Sequence, residues 1–176
     1  MKVIAIAAVT AGGKTTIVNE LKKRFSNVET LHFDDYTFGG EVKDFYQWTL
    51  DGADYNVWDL KPLENDILKI QMSGECDYLI LDYPFAYLND LIKDYIDYAF
   101  FIDTPLDIAL ARRILRDMKE ESGDEIRTDL ADYLKYARIA YEQMLKDVLP
   151  SSDKVIDGKK GLEEKVEEII CIIRNL

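Results

Sequence analysis

The stretch Val3-Ile4-Ala5-Ile6-Ala7-Ala8-Val9-Thr10-Ala11-Gly12-Gly13-Lys14-Thr15-Thr16 decides how the rest of the chain is read. Its first part, Val3–Val9, is an unbroken apolar run, the pattern of a strand buried on both faces. Just beyond it, Ile17, Val18, Leu21 and Phe25 recur along one face of a helix. Gly12-Gly13-Lys14-Thr15 therefore falls at a strand-to-helix turn, the context in which a Gly-rich loop cradles phosphate. Backbone N–H groups of such a loop, and the free N–H groups that open the helix, converge on the anion. Lys14 is placed to bridge the β- and γ-phosphates of a nucleoside triphosphate, and the Thr15 hydroxyl to ligate Mg²⁺. Ala11, Gly12, Gly13 and Thr16 complete the expected ATP-binding loop. Ala8 stands where the pattern GxxxxGK[ST] opens with glycine. At a strand end a methyl group is expected to be tolerated, whereas at Gly13 it would crowd the phosphate.

The chain has 176 residues, which suits one domain over residues 1–176. With 48% hydrophobic and 32% charged residues it has the balance of a soluble globular protein. Its formal net charge of −12 repels phosphate backbones and anionic lipid, so neither nucleic acid nor a membrane is expected as partner. An anionic ligand then needs a local cluster of Lys and Arg. Cys76, Cys171 and His32 do not make a zinc-ligand set, and no disulfide pattern appears. His32 itself, a lone histidine on a strand, reads as packed rather than catalytic. Met1-Lys2 leads straight into a strand, and no apolar stretch reaches the length of a membrane span, so a cytoplasmic protein is expected.

Further strand-like runs are Val28–Phe33, Tyr78–Leu81, Tyr98–Ile102 and Lys154–Ile156. Helical stripes lie between and after them: Leu63, Ile67 and Ile70; then Leu130, Leu134, Ala137, Tyr141, Met144 and Val148; then Leu162, Val166, Ile169, Ile170 and Ile173. Thr104-Pro105-Leu106-Asp107 predicts a helix start with Thr104 as N-cap and Pro105 at the first helical position. Strands alternating with helices predict an α/β fold, a parallel sheet with helices on both faces. Residues 34 to 59 and 119 to 128 are less regular, and irregular segments of that length serve as binding loops or lids.

A phosphate loop alone does not separate kinases from other NTPases. No Asn-Lys-x-Asp base-reading motif and no Leu-Ser-Gly-Gly motif is present. The scattered motifs Gly12-Gly13-Lys14-Thr15-Thr16, Phe33-Asp34-Asp35-Tyr36, Leu79-Ile80-Leu81-Asp82 and Phe101-Ile102-Asp103-Thr104-Pro105, with Arg112-Arg113-Ile114-Leu115-Arg116-Asp117, cover most of the chain. Together they resemble the uridine kinase, phosphoribulokinase and nicotinamide riboside kinase family of small-molecule P-loop kinases. The resemblance implies a three-layer P-loop kinase fold with a five-stranded parallel sheet, an acceptor-binding insertion at about 34–60 and a small lid at about 117–129. It also implies ATP as phosphoryl donor and Mg²⁺ as cofactor.

By the same resemblance an aspartate stands beside the acceptor hydroxyl as base or orienting group. Asp34 matches that position and Asp35 is the alternative; both follow a strand whose C-terminal end faces the ligand crevice. Asp82, after four apolar residues at a strand end, is in the Walker B arrangement and is expected at the metal. The family carries Glu-Gly there, whereas this chain has Asp82-Tyr83-Pro84. Arg112, Arg113 and Arg116 form a positive island on one helix, with Arg113 and Arg116 the preferred phosphate-binding pair and Arg116 a candidate for charge neutralisation in transfer. Arg127, in the lid, is a further candidate.

The acceptor is read as a small alcohol. Phe33, Tyr36, Phe38, Phe45, Tyr46, Trp48, Tyr55 and Trp58 crowd the segment after the second strand. Most are expected to form a small core, with Tyr36 the leading candidate to touch the acceptor. Tyr55-Asn56-Val57-Trp58-Asp59 resembles the family segment in which an aspartate binds ribose hydroxyls, a role that falls to Asp59. A pyrimidine nucleoside, nicotinamide riboside and other sugar-like alcohols all remain open as acceptors. The alternative function is a nucleotide-binding regulatory ATPase with no small-molecule acceptor. The long helical stripe at 129–148 offers a surface for a homo-oligomer.

Overall fold

A computed structural model describes residues 1–40 and 42–176. Among the described residues, the strands β1 (Lys2–Ala7), β2 (Val28–His32), β3 (Tyr78–Asp82), β4 (Tyr98–Asp103) and β5 (Lys154–Asp157) form one sheet in the order β2-β3-β1-β4-β5. Every pairing is parallel. The helices are α1 (Lys14–Arg24), α2 (Phe45–Leu50), α3 (Lys61–Ser73), α4 (Leu106–Asp117), α5 (Gly123–Asp132), α6 (Arg138–Ser151) and α7 (Leu162–Ile173). Each strand read from the apolar runs is present to within two residues.

The period of two along the central strands sorts their side chains into two cores. Ala5, Ala7, Leu79, Leu81, Ala99 and Phe101 face one side, where α3 contributes Leu63 and Ile67, and α6 contributes Val148. Ile4, Ile6, Ile80, Phe100 and Ile102 face the other, covered by Ile17, Val18 and Leu21 of α1 and Val166, Ile169, Ile170 and Ile173 of α7. Most of these side chains are fully buried, and each buried Leu, Ile, Val or Phe contributes about 1.5–3 kcal/mol of transfer free energy. The aromatic segment adds to the first core, where Trp48, Tyr55, Trp58 and Phe85 pack at ring-centroid distances of 4.7–5.5 Å.

β1 lies between β3 and β4, so the chain leaves it toward one neighbour or the other and a crevice opens above its C-terminal end. The phosphate loop, Asp34, Asp82 and Thr104 all follow or end strands at that same edge.

Three local expectations are corrected. Thr104 does not cap α4: Pro105 occupies the N-cap position with φ −49° and ψ 138°, and α4 has no side-chain cap. The threonine hydroxyl is spent elsewhere, as shown below. The segment 119–128 is not irregular throughout, because α5 begins at Gly123. Ser122 accepts from the Glu125 N–H at 3.3 Å, and Glu125 accepts from the Ser122 N–H at 2.8 Å. This capping box is a Ser-x-x-Glu signature that the charge density of the segment masks. Finally, the stripe over 129–148 belongs to a longer helical run in which a π-helical turn, Tyr133–Ala137, joins α5 to α6.

Candidate active site

The loop after β1 is held by close backbone packing. The Gly12 N–H donates to the Val9 carbonyl at 2.9 Å. A Cβ on Gly12 would lie 2.7 Å from Ala8 Cβ and 2.8 Å from the Val9 oxygen, so this position admits glycine alone. Ala8 is fully buried in the core beneath α1, and its methyl group fits because Gly12 has none. Gly13 turns the chain at φ +102° as the N-cap of α1, where no side chain caps the helix. The first N–H groups of α1 are thus left open for an anion. Ala11 sits at φ +57°, a left-handed conformation that costs a non-glycine residue about 1–2 kcal/mol. The buried Thr104 hydroxyl donates to the Gly12 carbonyl at 2.8 Å and so ties the loop to the end of β4.

Lys14, Thr15, Asp34 and Asp82 converge above β1 and β3. Lys14 Nζ lies 3.4 Å from the Ala8 carbonyl. The residue is half-buried, yet its ammonium is desolvated. Burial pushes its pKa below the usual lysine value, Asp82 and Asp34 pull it back up, and Arg116 adds a smaller downward push. The Thr15 hydroxyl donates to Asp82 Oδ2 at 2.5 Å. His32 Nδ1 lies 3.3 Å from the same oxygen. His32 and Asp82 are register partners in the β2–β3 pair, so the contact follows from strand adjacency, which sequence reading did not have. With Oδ2 already accepting from Thr15, the histidine serves as a second donor. Asp34 is exposed in the short 3₁₀ turn Phe33–Asp35 that follows β2.

One cleft of about 770 Å³ joins Lys14, Thr15 and Asp34. The phosphate loop forms its middle through Ala11, Gly13, Lys14, Thr15 and Thr16. Asp34, Phe33, Phe45, Trp58, Phe85 and Met144 line one end. Arg112, Lys160, Gly161, Leu162 and Lys165 line the other, and Arg116, within electrostatic reach of both Lys14 and Asp34, also lines the cleft. Arg112 and Arg116 are one helical turn apart on α4 and share a face. Arg113 points off that face into a second cavity of about 540 Å³, where it forms a bidentate pair with Asp129. The expected pairing of Arg113 with Arg116 is therefore replaced by Arg112 with Arg116. Arg116 is itself held by Asp117, at 2.6 and 2.9 Å.

Other residues expected at the acceptor stand elsewhere. The Tyr36 hydroxyl donates to Asp66 at 3.0 Å and its ring stacks on Phe38. Asp59 accepts from the Lys61 N–H at 3.2 Å at the start of α3. Arg127 pairs with Asp124 at 2.5 Å on an exposed face of α5. Asp35 is exposed and does not line the cleft. Sequence reading missed His32, the tie made by Thr104, and the buried Lys165. Only Lys165 left a local trace, as the one cation within the apolar stripe that opens α7.

Among the described residues no cluster of three or more His, Cys, Asp or Glu side chains is poised to cage a metal. Mg²⁺ does not need one, since it is held by one or two protein oxygens, waters and substrate phosphates. Thr15 and Asp82, in direct contact at the phosphate loop, are an oxygen pair that fits this requirement.

Comparison with known proteins agrees with the geometry. No protein-family model matches the chain. Over 178 residues it is 25% identical to the uridine kinase of Borrelia duttonii, covering 89% of this chain and 86% of that one. Over 179 residues it is 28% identical to the uridine kinase of Staphylococcus epidermidis, covering 88% and 86%. The chain is similar to uridine kinases and has the P-loop kinase fold. Among solved structures the kinase resembles the deoxyadenosine kinase of M. mycoides, with a TM-score of 0.54, 17% identity and coverage of 99% and 100%. It also resembles the shikimate kinase of Aquifex aeolicus, with a TM-score of 0.52, 18% identity and coverage of 98% and 96%. These likenesses bear on the fold, and they match the observed three-layer arrangement. The kinase is an ATP-using small-molecule phosphotransferase. Among the described residues no helix is long and apolar enough to cross a membrane.

Proposed function

We propose that the kinase transfers the γ-phosphoryl group of Mg²⁺·ATP to a hydroxyl of a nucleoside or another riboside. The observation that carries this reading is the shared cleft. The phosphate loop and the Thr15–Asp82 pair stand between an exposed carboxylate with an aromatic wall on one side and a cationic wall on the other. Lys14, Arg116 and the N–H groups opening α1 neutralise phosphate charge. Thr15 and Asp82 would hold Mg²⁺, which supplies further charge neutralisation at the phosphates. Asp34 orients the acceptor hydroxyl and accepts its proton as the oxygen–phosphorus bond forms and ADP leaves. Phe33, Phe45, Trp58 and Phe85 give the acceptor an apolar wall of mutually tilted rings, against which a base or sugar can pack. We assign acceptor contact to these four rather than to Tyr36 and Asp59, whose polar atoms already have partners.

The test is ADP release from Mg²⁺·ATP against a panel of ribosides and plain sugars. The reading requires one or a few ribosides to raise the rate at least tenfold over basal hydrolysis (a margin of about 1.4 kcal/mol in barrier). A flat panel with slow hydrolysis replaces it with the regulatory ATPase.

A further inference from the structure

The acceptor end of the cleft is built largely from carbon. Phe33, Phe45, Trp58, Pro84, Phe85 and Met144 line it. Among the described residues, Asp34 is the only side-chain oxygen acceptor there outside the phosphate loop. Trp58 and Phe85 are 4% and 6% exposed, and their ring centroids lie 4.7 Å apart, so this wall is held by its own packing.

The polar groups nearest in sequence to a sugar-binding role are committed elsewhere. Trp58 has an extended backbone and its side chain takes the inward position. The next residue along an extended backbone points to the opposite side. Asp59 is accordingly exposed, and its N–H donates to the Gly39 carbonyl at 2.8 Å in a short antiparallel bridge. Its carboxylate accepts from the Lys61 N–H at 3.2 Å. The Tyr36 hydroxyl is held by Asp66. Phe45 also walls the second cavity, where the Arg113 guanidinium is paired with Asp129.

Every sugar hydroxyl brings an O–H that needs an acceptor once water is excluded. Asp34 is taken by the hydroxyl that receives the phosphate, so a 2′-hydroxyl set against this wall meets rings and a thioether. Burying a hydroxyl without a partner is unfavourable, whereas a methylene in the same place is welcome. A site built to hydrogen-bond a substrate hydroxyl rejects the analogue lacking it by about 10⁴–10⁵-fold, and an apolar wall has no such means. Resting on the proposed kinase reading, we infer that the enzyme does not select for ribose: it phosphorylates 2′-deoxynucleosides at least as well as the matching ribonucleosides.

The test is a paired panel in which uridine, cytidine, adenosine and guanosine each stand beside the 2′-deoxy counterpart. kcat/KM is measured for each from ADP release with Mg²⁺·ATP. For whichever base the enzyme prefers, the deoxynucleoside is expected to match the ribonucleoside within about threefold or to exceed it. A preference for ribose of more than about threefold overturns the inference and leaves the kinase reading standing. Asp59→Asn supplies an independent arm, because it keeps the oxygen that accepts from Lys61 and with it the start of α3. The variant is expected to retain the wild-type ratio between the two sugars. If it loses ribonucleoside turnover by at least about tenfold while deoxynucleoside turnover is unchanged, the carboxylate reads the sugar and the inference is wrong. A flat response to both sugars removes the nucleoside acceptor itself, and this inference with it.

Discussion

The Thr15 hydroxyl and Asp82 Oδ2 meet at 2.5 Å, joining the first turn of α1 to the end of β3. The pair needs both the order of the sheet and the turn at Gly13, so it is a product of the fold rather than of either motif alone. Asp82→Asn keeps the shape and removes the charge that a divalent cation requires. It is expected to lower kcat by about 10²–10³-fold and to raise the Mg²⁺ concentration for half-maximal rate. Thermal unfolding should be little changed or shifted upward, because a 5% exposed carboxylate is replaced by a neutral amide. A variant with wild-type Mg²⁺ dependence would remove Asp82 from the metal site.

His32 is expected to act through Asp82. Its Nδ1 donates to the oxygen that also accepts from Thr15, which leaves Oδ1 and the metal-facing direction defined. Outer-shell partners of this kind are worth about 10–100-fold in metal affinity. His32→Phe should weaken Mn²⁺ binding by that factor, read by electron paramagnetic resonance of the free ion, while nucleotide binding without metal stays the same. Equal Mn²⁺ affinity in the two proteins would reduce His32 to a packed strand residue.

Much of this arrangement was legible in the sequence. The five strands follow from short apolar runs, and the loop from glycines between a strand pattern and a helix pattern. The roles proposed for Lys14 and Thr15 rest on their spacing after that loop. What was not legible depends on which strands become neighbours. His32 faces Asp82 because β2 pairs with β3 in register, and Thr104 reaches Gly12 because β4 lies beside β1. Helical phase decided the arginines: Arg112 and Arg116 share the cleft face, while Arg113 is turned away by the rotation of one residue. Tyr36 and Asp59 have the chemistry of acceptor ligands, but the Tyr36 hydroxyl is taken up by Asp66 on α3 and the Asp59 carboxylate by the Lys61 N–H.

Lys14 links function to a cost in stability. Its pKa is lowered by burial, so the folded state binds that proton less readily than the unfolded chain does. The cation therefore destabilises the fold at neutral pH. That cost fades as pH rises toward the ordinary lysine value of 10.5, where the unfolded chain also loses the proton. Lys14→Met should consequently unfold at a higher temperature than wild type at pH 7, at about 2–4 °C for each kcal/mol recovered. The gain should shrink by pH 10, and phosphoryl transfer should be lost throughout. A lower melting temperature for the variant at pH 7 would show that attraction to Asp82 and Asp34 outweighs desolvation.

Asp34 carries the assignment of the base. Asp34→Asn retains a polar side chain at an exposed turn, so neither folding nor ATP affinity should change. Removal of a general base costs about 10²–10⁴-fold in turnover. Single-turnover phosphorylation of the stimulating riboside isolates the chemical step from product release. Asp35→Asn, one residue along and off the cleft wall, is the internal control and should stay within about threefold of wild type. If the two variants exchange these behaviours, Asp35 is the base.

The phosphate loop offers a double-mutant cycle that separates two contacts of one glycine. Gly12→Ala puts a methyl group 2.7 Å from Ala8 Cβ and 2.8 Å from the Val9 oxygen, so the loop must open and ATP affinity should fall by at least tenfold. Ala8→Gly alone empties a buried methyl site and should cost stability, about 1 kcal/mol for the transfer and cavity together, with nucleotide binding retained. In the double variant the first clash is gone and the second remains, because the Val9 carbonyl is backbone. ATP affinity should therefore recover only in part, giving a coupling energy of about 0.5–3 kcal/mol between the two sites. Complete recovery would mean that the Val9 contact yields freely and that Ala8 alone dictates glycine at position 12. Strict additivity would mean that the methyl of Ala8 and the missing Cβ of Gly12 do not constrain each other, contrary to their packing.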